Sequence, residues 1–211
     1  MLFDITEYIT KPISGIIQIG AHHGNEYDTL KKLSEHILMF EPQKEVYNKL
    51  FNKLGSMPNL VIENKALGSS IGVMQMYTEQ ENQGQSSSLL IPQLHCVQYP
   101  GIKFTGTEQV EVTTLDEYFN DKLFNYNLLT LDVQGYELEV LKGSTDILLK
   151  VDYILCEVNR AELYRGCPMV EEIDSFLKNG MWPWSEEVID LYKEAINRNQ
   201  LINKMNKVQL M

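Results

Sequence analysis

Three carboxylates stand where the sequence runs out of apolar residues: Glu41 after ILMF, Asp132 after LLTL, and Glu157 within ILCEV. Each reads as the end of a short buried strand, and in an open α/β sheet that edge is where ligands bind. Glu41 lies about 20 residues beyond a glycine-bearing junction, Gly20-Ala21-His22-His23-Gly24, a spacing at which a carboxylate accepts the hydrogens of both ribose hydroxyls. The two glycines let the backbone turn sharply and approach a ligand without a Cβ in the way. A helix behind such a turn presents free N–H groups and a positive dipole end. Pro42 ends the Glu41 strand. Taken singly, the loop fits a plain strand-to-helix turn, and Glu41 fits a solvated strand end.

The stretch LLTLDVQGYELEVLKG, residues 128–143, puts Asp132 at a strand end, Gly135 at the turn and Glu137 in the first helical turn. A carboxylate closing so apolar a strand is costly to place unless it is used or paired. Glu137 reads either as support for Asp132 or as an acid favoured by the helix dipole. Asp132 and Glu157 fall on neighbouring strands in the usual order. Two such acids can bind a metal or share a proton, one acting as base; Glu157 can equally pair with Arg160 or Arg165. His23 is a further candidate base or a loop histidine satisfied by backbone. Ser86, Ser87 and Ser88 form a loop over the ligand or a plain flexible loop.

The elements that must position these groups alternate between β-rich and helical runs, the order of a mainly parallel sheet covered by helices. Strands are expected at 15–20, 37–41, 60–62 continuing toward Ala66, 128–133 and 151–158, with Val73 to Thr78 pairing at an edge. Helices are expected at about 25–33, at 46–54 from the repeat Val46, Leu50, Leu54, and from Tyr136 to residue 150 with a break at Gly143. Gly55 stops the second of these. Thr114 and Glu117 form a capping box. After Pro168, Val170, Ile173, Phe176 and Leu177 face inward. VIDLYKEAI, 188–196, reads as strand or helix.

The chain of 211 residues suits a single domain, with its core at about 13–180 and an atypical tail at 181–211. A formal net charge of −11 makes nucleic acid a poor partner. No apolar run is long enough for a membrane helix, and the start does not read as a signal peptide. Three cysteines without a CxxC pair suit reduced thiols in a cytosol. No zinc spacing and no HExxH occur, so no metal ligand set is expected.

Together GAHHG, FEP, NKALG, VTTLDEY, LDVQGYELEVLKG and ILCEVN, in this order over roughly residues 13–180, resemble the FkbM family of methyltransferases. The most specific part is 132–143. The resemblance implies a seven-stranded Rossmann-like α/β core, S-adenosylmethionine as methyl donor, and a hydroxyl acceptor on a sugar or other small molecule. It implies that Gly20, Ala21 and Gly24 hold the methionine end, Glu41 the ribose, and Ala66 the adenine or ribose. Asp132 would lie beside the sulfonium and acceptor, supported by Glu137. The candidate cofactor contacts are therefore Gly20, Ala21, His22, Gly24, Glu41, Pro42, Ala66, Ser88 and Asp132; the candidate catalytic set is Asp132, Glu137, Glu157 and His23. Two departures stand out. Gln18 occupies a position where the family often has an acid, and the stretch after Gly180 is compressed against the closing strand hairpin the family would have. A non-catalytic cofactor-binding protein of the same fold is the alternative; a nicotinamide-dependent oxidoreductase is disfavoured by the missing GxGxxG.

Overall fold

A computed structural model describes residues 9–179. The first strand, β1 (Ile16–Ile19), is followed by α1 (Tyr27–Leu30), β2 (Ile37–Phe40), α2 (Lys44–Leu54) and β3 (Leu60–Glu63). Next come β4 (Ala66–Leu67), β5 (Gly72–Glu79), α3 (Leu94–Gln98), β6 (Phe104–Thr113) and α4 (Leu115–Tyr118). The remaining elements are β7 (Leu128–Leu131), α5 (Glu137–Lys142), α6 (Thr145–Leu148), β8 (Tyr153–Cys156) and α7 (Val170–Asn179).

Five strands pair in parallel in the order β3-β2-β1-β7-β8. The three central strands are buried at every residue, whereas the edge strands β3 and β8 are only partly so. That is why the central runs read as continuously apolar rather than alternating. On one face Ile17, Ile19, Leu38, Phe40, Leu129 and Leu131 pack against Leu115, Val140, Leu141, Ile147, Val170 and Ile173. On the other, Ile16, Ile37, Met39 and Leu128 pack against Tyr27, Leu30, Leu50 and Leu54. Helices thus cover both faces, and the fold is a Rossmann-like α/β sheet. The inward residues of α2 and α7 are those the helical repeat selects.

The structure corrects the expected elements in several places. Among the described residues the main sheet has five strands, against the seven implied by the resemblance, and three more form a second sheet. The third strand does not run on to Ala66: it stops at Glu63, and Ala66 begins β4 in a separate three-stranded sheet ordered β4-β6-β5. Between them Asn64 turns its amide onto the carbonyls of Glu41 and Pro42, both at 2.9 Å. The helix expected at about 25–33 shrinks to one turn. β6, ten residues long, and α3 were not anticipated at all. The break at Gly143 is real: a Cβ there would meet the Gly68 carbonyl oxygen at 1.9 Å. The Thr114 cap is also present, its hydroxyl accepting the Glu117 N–H at 3.0 Å. The strand-or-helix segment 188–196, and all of the tail from 180, lie outside the described residues.

Candidate active site

Chain order along the parallel sheet reverses between β1 and β7, and ligand clefts open outside the strand ends at such a switch point. A cleft of about 260 Å³ lies there, lined among others by Gly20, Glu41, Ala66 and Asp132. Three widely separated stretches of sequence thus converge along one rim.

The glycine turn is fixed by backbone. The N–H groups of Gly20 and Ala21 both donate to the Phe40 carbonyl at 3.0 Å. Gly20 has φ +83°, and a Cβ on it would fall 1.9 Å from the Asp132 carbonyl oxygen. Only glycine lets the β1 end pass so close to the β7 end. His22 lines the cleft and donates its N–H to Glu41 Oε2 at 2.9 Å. Ala21 and Gly24 are buried and shape the turn from behind; neither lines the cleft. His23 does not line it either. Its ring lies against His22, centroids 4.0 Å apart, and its carbonyl accepts from Lys53 at 3.1 Å. Desolvation, helped by the charges of His22, Lys49 and Lys53, lowers its pKa.

Glu41 follows β2 directly and is almost wholly buried. Oε2 accepts from His22, and Oε1 accepts the Gln43 N–H at 2.8 Å. Burial pushes its carboxyl up to about 7, against the pull of those two N–H groups. Gln43 Nε2 also donates to Oε1, at 3.5 Å; a carboxylate offers about four acceptor positions, so capacity remains for one ribose hydroxyl. Pro42, next to it, also lines the cleft.

The stretch 79–88 is not a loose loop. Glu79 is buried and accepts the N–H groups of Asn82 at 2.6 Å and Ser86 at 3.2 Å. Gly84 and Ser86 offer carbonyls to Gln43 Nε2 at 3.0 Å and the Tyr164 hydroxyl at 2.8 Å. The His22 ring meets the Gln83 carbonyl at 2.8 Å. The segment is therefore tied down beside the cleft, where Ser86 and Ser87 line it. Ser88 points elsewhere: its hydroxyl donates to the Gln134 carbonyl at 2.7 Å and accepts the Leu90 N–H at 3.0 Å.

Asp132 follows β7 and is exposed at the mouth, so the desolvation cost expected from the apolar strand before it does not arise. Gln134, which the sequence did not single out, stands at φ +54° and donates through Nε2 to Asp132 Oδ1 at 2.7 Å and Glu157 Oε2 at 3.1 Å. Its Oε1 accepts from the Tyr164 hydroxyl at 3.0 Å. Glu157, after β8, does not itself line the cleft. The residue as a whole is exposed, yet protein crowds its carboxyl. That desolvation, then the charges of Asp132 and Glu137, push it well above the carboxylate range. Among the described residues no group of three or more His, Cys, Asp or Glu side chains is placed to hold a metal.

Glu137 does not reach the cleft. It is fully buried, and Oε1 accepts the N–H groups of Val133 and Gly135, both at 3.1 Å. It is thus a clamp on the turn that carries Asp132 and Gln134, in reach of no reacting atom. Its Oε2 has no partner, and burial pushes its carboxyl up to about 7.

An adenosyl sulfonium with a methionine end offers a purine, a vicinal diol and an ammonium. The cleft offers Phe40, Ala66, Leu67, Met76 and Leu89 as apolar wall, Glu41 for one hydroxyl of the diol, and Glu26 and Asp132 as further anions. The donor set fits such a group.

The family model of the methyltransferase FkbM domain matches residues 18–181. A 2-O-methyltransferase, NoeI, of Sinorhizobium fredii (strain NBRC 101917 / NGR234) is 25% identical over 170 residues, covering 77% of this chain and 70% of that protein. The crystal structure of a methyltransferase FkbM from Methylobacillus flagellatus KT is 12% identical with a TM-score of 0.45, covering 71% of this chain and 34% of that one. This chain thus spans about a third of that longer protein.

Proposed function

The chain belongs to the FkbM methyltransferase family, and on that footing we propose that it is an S-adenosylmethionine-dependent O-methyltransferase acting on a hydroxyl of a sugar or other small polyhydroxyl acceptor. The observation that carries this reading is the convergence of Gly20, Glu41 and Asp132 on one cleft at the switch point of the sheet. The distant likeness to a 2-O-methyltransferase supports oxygen as the acceptor atom.

In this reading Glu41 accepts from a ribose hydroxyl and the Ala66 side of the cleft takes the base. The bound cofactor supplies an electrophilic methyl group, so alignment and deprotonation are what remains for the protein to provide. Asp132 would take the acceptor hydroxyl's proton while that oxygen gains the methyl group, the methyl–sulfur bond breaking and the neutral thioether leaving. Gln134 holds one Asp132 oxygen, and Glu137 holds the turn beneath both. Glu157, its carboxyl pushed well above the carboxylate range by desolvation, shares the Gln134 amide with Asp132 and helps fix that amide in place.

Three free cysteines suit a reducing, cytosolic setting for this chemistry. Among the described residues no helix is long and apolar enough to cross a membrane.

The test is Asp132→Ala, assayed with isotope-labelled S-adenosylmethionine and a panel of glycans and small alcohols. Loss of labelled product with unchanged binding of S-adenosylhomocysteine is expected. Undiminished turnover would overturn the role of Asp132. Tight cofactor binding with no methylated product, by wild type on any acceptor, would favour a non-catalytic binding protein.

A further inference from the structure

Resting on the cofactor reading above, we propose that Glu26, together with Gln18, is the site for the ammonium of the cofactor's amino-acid end. An ammonium taken from water needs an anion and further acceptors, and it finds both only where carboxylates and unspent oxygens meet.

Of the carboxylates lining the cleft, Glu41 already accepts the His22 and Gln43 N–H groups, and Asp132 is engaged by Gln134. Glu26 also lines the cleft. Among the described residues its carboxylate holds one long hydrogen bond, from Gln18 Nε2 at 3.4 Å. Gln18 lies in the middle of the sheet and is 5% exposed; its Oε1 is buried without a hydrogen-bond partner. Its register partner on β7, Thr130, points to the same face, and Thr130 Oγ1 is also buried and unpartnered. Neither side chain lines the cleft itself, but Gln18 meets its edge through Glu26; buried polar oxygens are rarely left unsatisfied in a folded protein, and two side by side behind Glu26 favour a donor held there.

The arrangement explains the departure at position 18. An acid there would be buried among apolar residues; a glutamine gives the same reach without charge. The charge instead comes from Glu26, on the short turn into α1, with Gln18 Nε2 orienting it. Glu26 thus contributes a positioning charge for the cofactor and takes no part in the proton transfer.

The experiment compares binding of S-adenosylhomocysteine and 5′-methylthioadenosine, the same nucleoside thioether without the amino-acid end, to the full chain and to Glu26→Gln by calorimetry. The expected result is that Glu26→Gln weakens S-adenosylhomocysteine at least about tenfold, the weight of one charge-assisted hydrogen bond, and leaves 5′-methylthioadenosine unchanged. Glu26 is partly buried, and retained 5′-methylthioadenosine binding reports that the variant is folded. Equal affinity of both proteins for S-adenosylhomocysteine would overturn the assignment while leaving the methyltransferase reading intact. Equal loss for both ligands would overturn it too, as a general disturbance of the cleft. Wild type that binds neither ligand would sink the cofactor reading itself and this assignment with it.

Discussion

Replacing Glu137 by glutamine should make the protein's stability less dependent on pH, and more stable above neutrality. Glu137 is fully buried, and its carboxyl is pushed from 4.5 up to about 7. Between those two pH values the folded chain holds a proton that the unfolded chain has released. Stability from this group is complete below the lower value and is lost as pH rises through the upper one. A gap from 4.5 to about 7, at 1.36 kcal/mol per pH unit, is worth about 3 kcal/mol. Glutamine keeps an oxygen for the Val133 and Gly135 N–H groups and stays neutral throughout. Urea unfolding at intervals from about pH 5 to about pH 8 should find the variant close to wild type at the acid end. At the alkaline end it should be more stable by up to about 3 kcal/mol. Glu41 contributes a pH dependence of the same sign, but it is common to both proteins and cancels in the comparison. Glu137→Ala supplies the contrast: it too loses the titrating group, but it strips the acceptor from two N–H groups and should be about 2 kcal/mol less stable than Glu137→Gln at every pH. An unchanged pH slope in Glu137→Gln would refute the reasoning, as would a variant less stable than wild type at the alkaline end.

Two further outcomes follow from the geometry of the cleft. Gly20→Ala places a Cβ 1.9 Å from the Asp132 carbonyl oxygen in a left-handed conformation; it should lose at least about 2 kcal/mol by urea unfolding, and methyl transfer should fall further because Asp132 must move. Glu41, with its carboxyl pushed up to about 7, is the better acceptor for a ribose hydroxyl once ionised, so S-adenosylhomocysteine affinity measured by calorimetry should rise as pH passes about 7 and then level off. In Glu41→Gln that rise should vanish and affinity should drop about tenfold; a pH profile that survives the substitution would show that another group produces it.

Much of this was legible along the chain because strand ends are local events. The apolar runs IIQI, ILMF and LLTL, the glycines after the first, and the carboxylates after the others are read from neighbouring residues, and parallel strands bring their ends to one edge by construction. The inward stripe of α2 is legible for the same reason: a 3.6-residue period is a property of the segment alone. β6 escaped because its residues FTGTEQVEVT mix glycine and charge, and only Val110 and Val112 are firmly buried, in a sheet with an exposed face.

What the sequence could not decide is where side chains of similar chemistry point. Glu137 and Asp132 lie five residues apart along one motif, yet the turn through Gln134 and Gly135 sends one carboxylate into the core and the other to the cleft. Ser86, Ser87 and Ser88 are chemically identical, and a bridge between Tyr77 and Ser88 aims only the first two at the ligand space. Gln134 joins carboxylates from two strands, and Glu26 meets Gln18 across a turn. Such pairings cross loops and strands whose relative placement is set by packing of the whole sheet, which no window of neighbouring residues contains.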